Sequence, residues 1–155
     1  MTGTIDARLT DLGITLPAAA APVAAYVPFV RTGNQLFISG QIPLVNGEVK
    51  HKAKLGADYS VEQGQEAARA CALNILAQAK AALDGDLDRV VRVVKLVGFV
   101  NSTPDFVDQP KVINGASELM VQVFGDAGKH ARSAVSAASL PLGVAVEVEA
   151  ILEIK

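Results

Sequence analysis

The sequence predicts an α+β fold, one mixed sheet with two long helices on one of its faces, and three observations carry that prediction. Two amphipathic helical patterns are interleaved with runs of β-branched residues, which is the signature of helices layered on a sheet. The closing stretch alternates: Val144, Val146, Val148, Ala150, Leu152 and Ile154 share one face, and Ala145, Glu147, Glu149, Ile151 and Glu153 the other. Hydrophobic residues make up 50% of the chain but aromatics only 5%, and Trp is absent, so the core must come from Val, Leu, Ile and Ala. At 155 residues the expectation is one domain spanning 1–155, with 1–19 forming an N-terminal helix and extended connector.

The elements follow in chain order. Residues 4–12, TIDARLTDL, read as a short helix capped by Thr4, striped by Ile5, Leu9 and Leu12, and stopped at Gly13. The next stretch, ITLPAAAAP, is an extended connector. YVPFVRTGNQLFISGQIPL predicts a hairpin: Val27, Phe29 and Arg31 lead to a Thr-Gly-Asn turn, and QLFISG returns. The glycine in SGQ marks a bulge or a close backbone approach. NGEV, at 46–49, is a further turn signal.

Ser60 and Gln63 have the spacing of a capping box, and the helix behind them runs to about Leu83. Its apolar stripe contains Cys71, a small core residue there. RVVRVVKLVGFV is a buried strand. A second helix spans 109–124, with Pro110 in its first turn and Gly125 ending it. Two strands close the chain, at about 132–138 and 144–154, and the Leu-Pro-Leu-Gly between them reads as the turn of a hairpin.

Composition excludes several classes. Fourteen basic residues against sixteen acidic ones argue against a general phosphate-backbone binder, so no nucleic acid is expected. A lone cysteine cannot form an internal disulfide, and with His51 and His130 it makes no metal-ligand cluster. No uncharged apolar run of membrane-spanning length and no signal-peptide pattern stands out, so the expectation is a cytoplasmic protein without membrane contact.

GNQLFISGQIP, then GASELMVQVFG, then HARSAV…LP…VEVEAI resemble the RidA/YjgF family of enamine and imine deaminases. The likeness covers about residues 20–155, and the N-terminal helix resembles the extension of a longer subgroup. It implies a chorismate-mutase-like fold, a homotrimer whose sheets form a central barrel, and sites in clefts between neighbouring subunits. The implied chemistry is cofactor-independent and metal-free hydrolysis of 2-aminoacrylate-like enamines or imines to 2-keto acids and ammonia.

The implied site residues are carried over one by one. Arg132 matches the arginine that clamps the substrate carboxylate, a task suited to a guanidinium with two parallel N–H donors. The alternative is a structural arginine paired with an acid at a strand end. Glu147 matches the acid that orients or activates water, and Glu149 on the same face is a like-charge neighbour that raises its pKa. The alternative is a solvated strand face.

Tyr26, Ser39, Gly40, Asn114 and Ala134 match substrate-binding positions, although Ala24-Ala25 replace the usual Gly-Pro before the tyrosine, and Ala134 stands where a cysteine is common. His130 reads as a loop cap rather than a pocket residue. Leu142, where a charged residue is common, suggests a more apolar rim. Two other functions fit the same residues: a trimer that binds small carboxylates without turnover, and, against the charge balance and sparse aromatics, an endoribonuclease.

Overall fold

The computed structural model describes residues 3–22 and 24–155. Helix α1 (Thr4–Asp11) opens the chain, and β1 (Phe29–Thr32) and β2 (Gln35–Gln41) form the expected hairpin. A second small hairpin follows, β3 (Leu44–Val45) and β4 (Glu48–Val49), turning through Asn46 at φ 51° and Gly47 at φ 78°. Two consecutive positive φ values are what a tight two-residue hairpin turn demands. Then come α2 (Val61–Ala82), β5 (Val90–Asn101), α3 (Gln109–Phe124), β6 (Ala131–Ala137) and β7 (Val146–Ile154).

The main sheet has the order β1-β2-β7-β5-β6. Strand β5 pairs with β6 in parallel and with β7 antiparallel, so the sheet is mixed. A parallel pair needs a crossover, and α3 supplies it between β5 and β6. The two closing strands therefore do not form the hairpin that the sequence suggested. Strand β5 lies between them: the α3 crossover sets β6 on one edge of β5, and β7 pairs on the other. The Leu140–Gly143 segment is a crossing over its end rather than a tight turn.

Both long helices cover one face. The capping box of α2 is present, with Ser60 Oγ accepting from Gln63 N at 3.1 Å and Gln63 Oε1 accepting from Ser60 N at 3.0 Å. Ala67, Ala68, Cys71, Ala72, Ile75 and Leu76 are wholly buried against the sheet. Helix α3 lies close to both α2 and the sheet: a Cβ on Gly115 would strike the Gln65 backbone, and one on Gly98 would strike Ile113. The core residues of β7, Val146, Val148, Ala150, Leu152 and Ile154, face this layer.

Thr4 does not cap α1. Gly3 holds the cap position and the side chain of Asp88, far along the chain, accepts from Thr4 N at 2.9 Å and Ile5 N at 2.8 Å. The N–H of Ile5 first, and that of Thr4 next, holds the Asp88 carboxyl below its ordinary pKa. With the Asp6–Lys80 ion pair at 3.0 Å, this cap fastens the N-terminal helix to the end of α2 and the start of β5.

Candidate functional site

The sequence-derived residues fall into two groups. Asn114, Arg132 and Ala134 form the first, at the β6 edge of the sheet. Arg132 pairs with Leu96 in the β5–β6 ladder and Ala134 with Gly98. Leu96 is buried under the helices, so alternation turns Arg132, Ala134 and Ser136 toward α3.

Arg132 meets α3 through one nitrogen. Its Nη1 donates to Asn114 Oδ1 at 2.8 Å and to Ser117 Oγ at 3.2 Å. Those bonds use both Nη1 hydrogens of a guanidinium with five N–H donors. Among the described residues no protein acceptor takes Nε or Nη2, and this pair has the fork geometry that fits a carboxylate. No acid pairs with Arg132 among the described residues, so a strand-end ion pair does not account for it.

Ser117 was not singled out by sequence, although it lies three residues after Asn114, and i and i+3 share a helix face. Its Oγ also lies 2.9 Å from His130 Nε2, while His130 Nδ1 lies 2.6 Å from Gly128 O. A carbonyl can only accept, so Nδ1 carries the proton of a neutral ring and Nε2 accepts from the Ser117 hydroxyl. The Ser117 lone pairs are thereby turned to Arg132. Burial first, and the Arg132 charge after it, lowers the His130 pKa against the opposing effect of Gly128 O, which keeps the ring neutral to more acid pH. His130 does cap its loop, as expected, but it also holds the serine that holds the arginine.

The second group gathers at the other side of the sheet, where β2 meets β7. Register shifts between Ile38, opposite Ala150, and Gln41, opposite Val148, so Ser39 and Gly40 form a bulge. Ser39 Oγ donates to Val27 O at 2.8 Å, and Ser39 N donates to Pro28 O at 2.9 Å. These bonds tie the Tyr26–Pro28 segment to the bulge. Tyr26 is half exposed and shares a small pocket with Gly40.

Gly40 faces Glu147: a Cβ there would strike the Glu147 carboxylate, so only glycine leaves the acid its place. Glu147 is on the sheet face away from the helices, since Val146 and Val148 on either side of it are buried beneath them. Its pKa is raised, by burial first and by Glu149 second. Cys71 is sealed in the core, its thiol pKa pushed well up by burial, and serves packing.

The two groups do not meet within one chain. Arg132 aligns through Leu96 with Ala150 across two strand spacings, and Glu147 lies three residues farther along β7. Strand spacing and rise put their Cα atoms about 14 Å apart, with the side chains on opposite faces. Around Glu147, the open face carries Phe37, Lys95, Val97, Phe99, Glu149 and Ile151, a mixture of apolar and charged groups. Among the described residues, no cluster of His, Cys, Asp and Glu is arranged to hold a metal ion, and no helix is long and apolar enough to cross a membrane.

Residues 6–154 match the family profile described as "YjgF/chorismate_mutase-like, putative endoribonuclease". Protein TCP17 of Trypanosoma cruzi is 54% identical over 98% of this chain and 95% of its own length. Among solved structures, the protein Atu1372 of Agrobacterium tumefaciens, whose function is unknown, superposes with a TM-score of 0.91 at 52% identity, covering 97% of this chain and 92% of that one. Escherichia coli TdcF with bound serine is 26% identical with a TM-score of 0.63, covering 88% of this chain and 94% of its own.

Proposed function

Because the chain belongs to the YjgF/RidA family, we propose that it hydrolyses 2-aminoacrylate-like enamines and imines to 2-keto acids and ammonia, at sites completed between copies in a homotrimer. The observation that carries this reading is the pair of unmatched half-sites. A guanidinium held by one nitrogen, with its fork free, lies at one edge of the sheet. A carboxyl with a raised pKa lies on the opposite face, on the central strand β7. A small substrate needs both within a few ångströms, and a second copy can bring the missing half to each. The open face suits the role of packing surface, with Val30, Phe37 and Val135 well exposed on it.

In this reading Arg132 takes the substrate carboxylate through Nε and Nη2, with Asn114 and Ser117 fixing its plane. The backbone at Ala134, on the edge strand beside it, lines the carboxylate pocket. Tyr26, Ser39 and Gly40 shape the opposite wall. Glu147 of the neighbouring copy handles protons.

An enamine first gains a proton at its methylene carbon and loses one from nitrogen, becoming the imine. Protonation at nitrogen then makes the C=N carbon electrophilic. Glu147 holds a water at that carbon and takes its proton as the C–O bond forms. The carbinolamine nitrogen takes that proton from Glu147 and leaves as ammonia, the hydroxyl proton returns to Glu147 or solvent, and the carbonyl of the keto acid remains. The overall balance is imine plus water to keto acid plus ammonia. A raised pKa suits a carboxyl that must both give and take a proton near neutral pH, and holding reactants together supplies most of the acceleration for so reactive a substrate.

The serine bound to TdcF supports a small polar molecule as the ligand in this family. The same cleft could serve binding without turnover, and ribonuclease action is the reading in the family description. The test generates 2-aminoacrylate with a serine dehydratase and follows keto-acid release. Faster release with the wild type than with Arg132→Ala supports deamination. Equal release from both rejects it, and carboxylate binding without any acceleration indicates the binding module.

A further inference from the structure

A pocket of about 250 Å3 opens beside Gly40 and Tyr26, and its walls are mostly apolar. Segments far apart in sequence build it, among them the connector at Ala20, the end of β2 at Gly40 with the following Ile42, and the crossing segment at Leu142. The buried Gln78 of α2 reaches through to donate to Ala20 O at 2.8 Å. The connector wall is therefore pinned to a rigid helix.

Leu142 is the unusual member. Its backbone lies at φ 58°, ψ 13°, in the left-handed region that bulky residues avoid and that glycine or asparagine occupies with less strain. Yet its side chain is 66% exposed. The chain thus holds an isobutyl group in solvent at the pocket rim, at a conformational cost, where core packing gives it no return.

Gly40 is common to two environments. It faces the Glu147 carboxylate, and it lines this pocket. Gly40 is the residue that the Glu147 carboxylate and the pocket share, so a substrate reacting at Glu147 lies within one residue of the pocket mouth. An apolar cavity of about 150 Å3 is enough to hold benzene. A space of this size therefore admits an aliphatic group of four carbons, and a bare methyl or methylene leaves most of it unfilled.

Resting on the proposed reaction at Glu147, we propose that this pocket is a side-chain subsite, and that the preferred substrate class is 2-imino acids with aliphatic side chains of about four carbons. The connector wall and Leu142 select them over 2-aminoacrylate itself. One methylene in a hydrophobic pocket changes specificity by roughly tenfold or more, so the series should be steep.

The experiment uses the full-length protein and two readouts. Calorimetry measures Kd for pyruvate, 2-oxobutanoate and 2-oxo-4-methylpentanoate. In parallel, the matching imines, released by an amino-acid oxidase with catalase present, give kcat/KM. The expected result is affinity and kcat/KM at least about tenfold higher for the isobutyl compound than for the methyl one. Leu142→Asn, which suits the left-handed backbone, and Gln78→Ala, which frees the connector, should each cut that ratio to about threefold or less. Leu142 is at the surface, so the first variant folds even where the second does not. A flat series in the wild type overturns the subsite, and if imines are still hydrolysed the deaminase reading stands. A ratio unchanged in Leu142→Asn also overturns it. A steep Kd series without imine turnover keeps the subsite and rejects the deaminase.

Discussion

Arg132 and Glu147 are separated by β5 and point to opposite faces of the same sheet. Their nearness in sequence, across one Leu-Pro crossing, does not bring them together. Each is prepared separately: Arg132 by Asn114 and Ser117, Glu147 by the glycine bulge of β2.

Arg132→Lys should fail nearly as fully as Arg132→Ala. A lysine keeps the charge but cannot present two parallel donors while also reaching Asn114 and Ser117. The loss of a bidentate charged hydrogen bond is worth about 1.5–3 kcal/mol, or roughly 10- to 150-fold in carboxylate affinity. Calorimetric titration with 2-oxobutanoate checks it, and a lysine variant that binds as well as wild type would remove the fork from the account.

Gly40→Ala should cost activity far more than stability. The new methyl meets the flexible end of Glu147, which swings away with little strain on the fold. Displacing a reacting group by about 1 Å can cost on the order of 100-fold in rate. The expected outcome is a large drop in kcat with the thermal midpoint nearly unchanged. A parallel collapse of the midpoint would mean that the glycine serves the bulge alone.

Glu147→Gln should raise thermal stability at pH 7 while abolishing turnover. The folded-state pKa of Glu147 lies above its unfolded value, because burial and Glu149 disfavour the charge. Its ionised form therefore costs stability at neutral pH, and that cost is relieved as pH falls through the folded pKa. The stabilising effect of glutamine should shrink toward pH 4, which thermal melts across the acid range would reveal.

His130 carries the opposite acid dependence. Its folded pKa is lowered, so its contribution to stability is present above the unfolded value of about 6.5 and is lost as pH falls toward the folded pKa. Protonation would also make Nε2 a donor and reverse the Ser117 hydroxyl. His130→Gln should flatten the melting-temperature slope between about pH 6.5 and the acid limit. An identical slope in wild type and variant would show that the ring does not titrate against Ser117.

Much of this fold was legible because the local and the global signals agree. The capping box at Ser60, the Pro110 start of α3 and the SGQ bulge each stand where their residues demand. Strand order was not legible. A Leu-Pro-Leu-Gly between two apolar strands looks the same whether they pair or cross over, and only the double-edged pairing of β5 decides. The cap of α1 was missed for a similar reason, since Asp88 is remote in sequence.

At the site, the arginine and the glutamate could be named from their motif, and the alternation of β7 gave the face of Glu147, but the face of Arg132 could not be read. Ser117 was readable in principle from its spacing to Asn114. The inward polar residues of α2 were not: Asn74 donates to the carbonyls of Ile42 and Leu44, and Gln78 to that of Ala20, partners supplied by loops that carry no periodic signal.

The measurement that bears most directly on a shared site is subunit complementation. Arg132→Ala and Glu147→Gln chains, carrying different affinity tags, are co-expressed and the mixed oligomers purified through both tags. Each parent alone should be inactive in the coupled imine assay. If the arginine and glutamate of one site come from different copies of a trimer, every mixed trimer has one of its three sites of wild-type composition, and activity returns to about a third of the wild-type value. Mixed oligomers as inactive as their parents would contradict a site shared between copies.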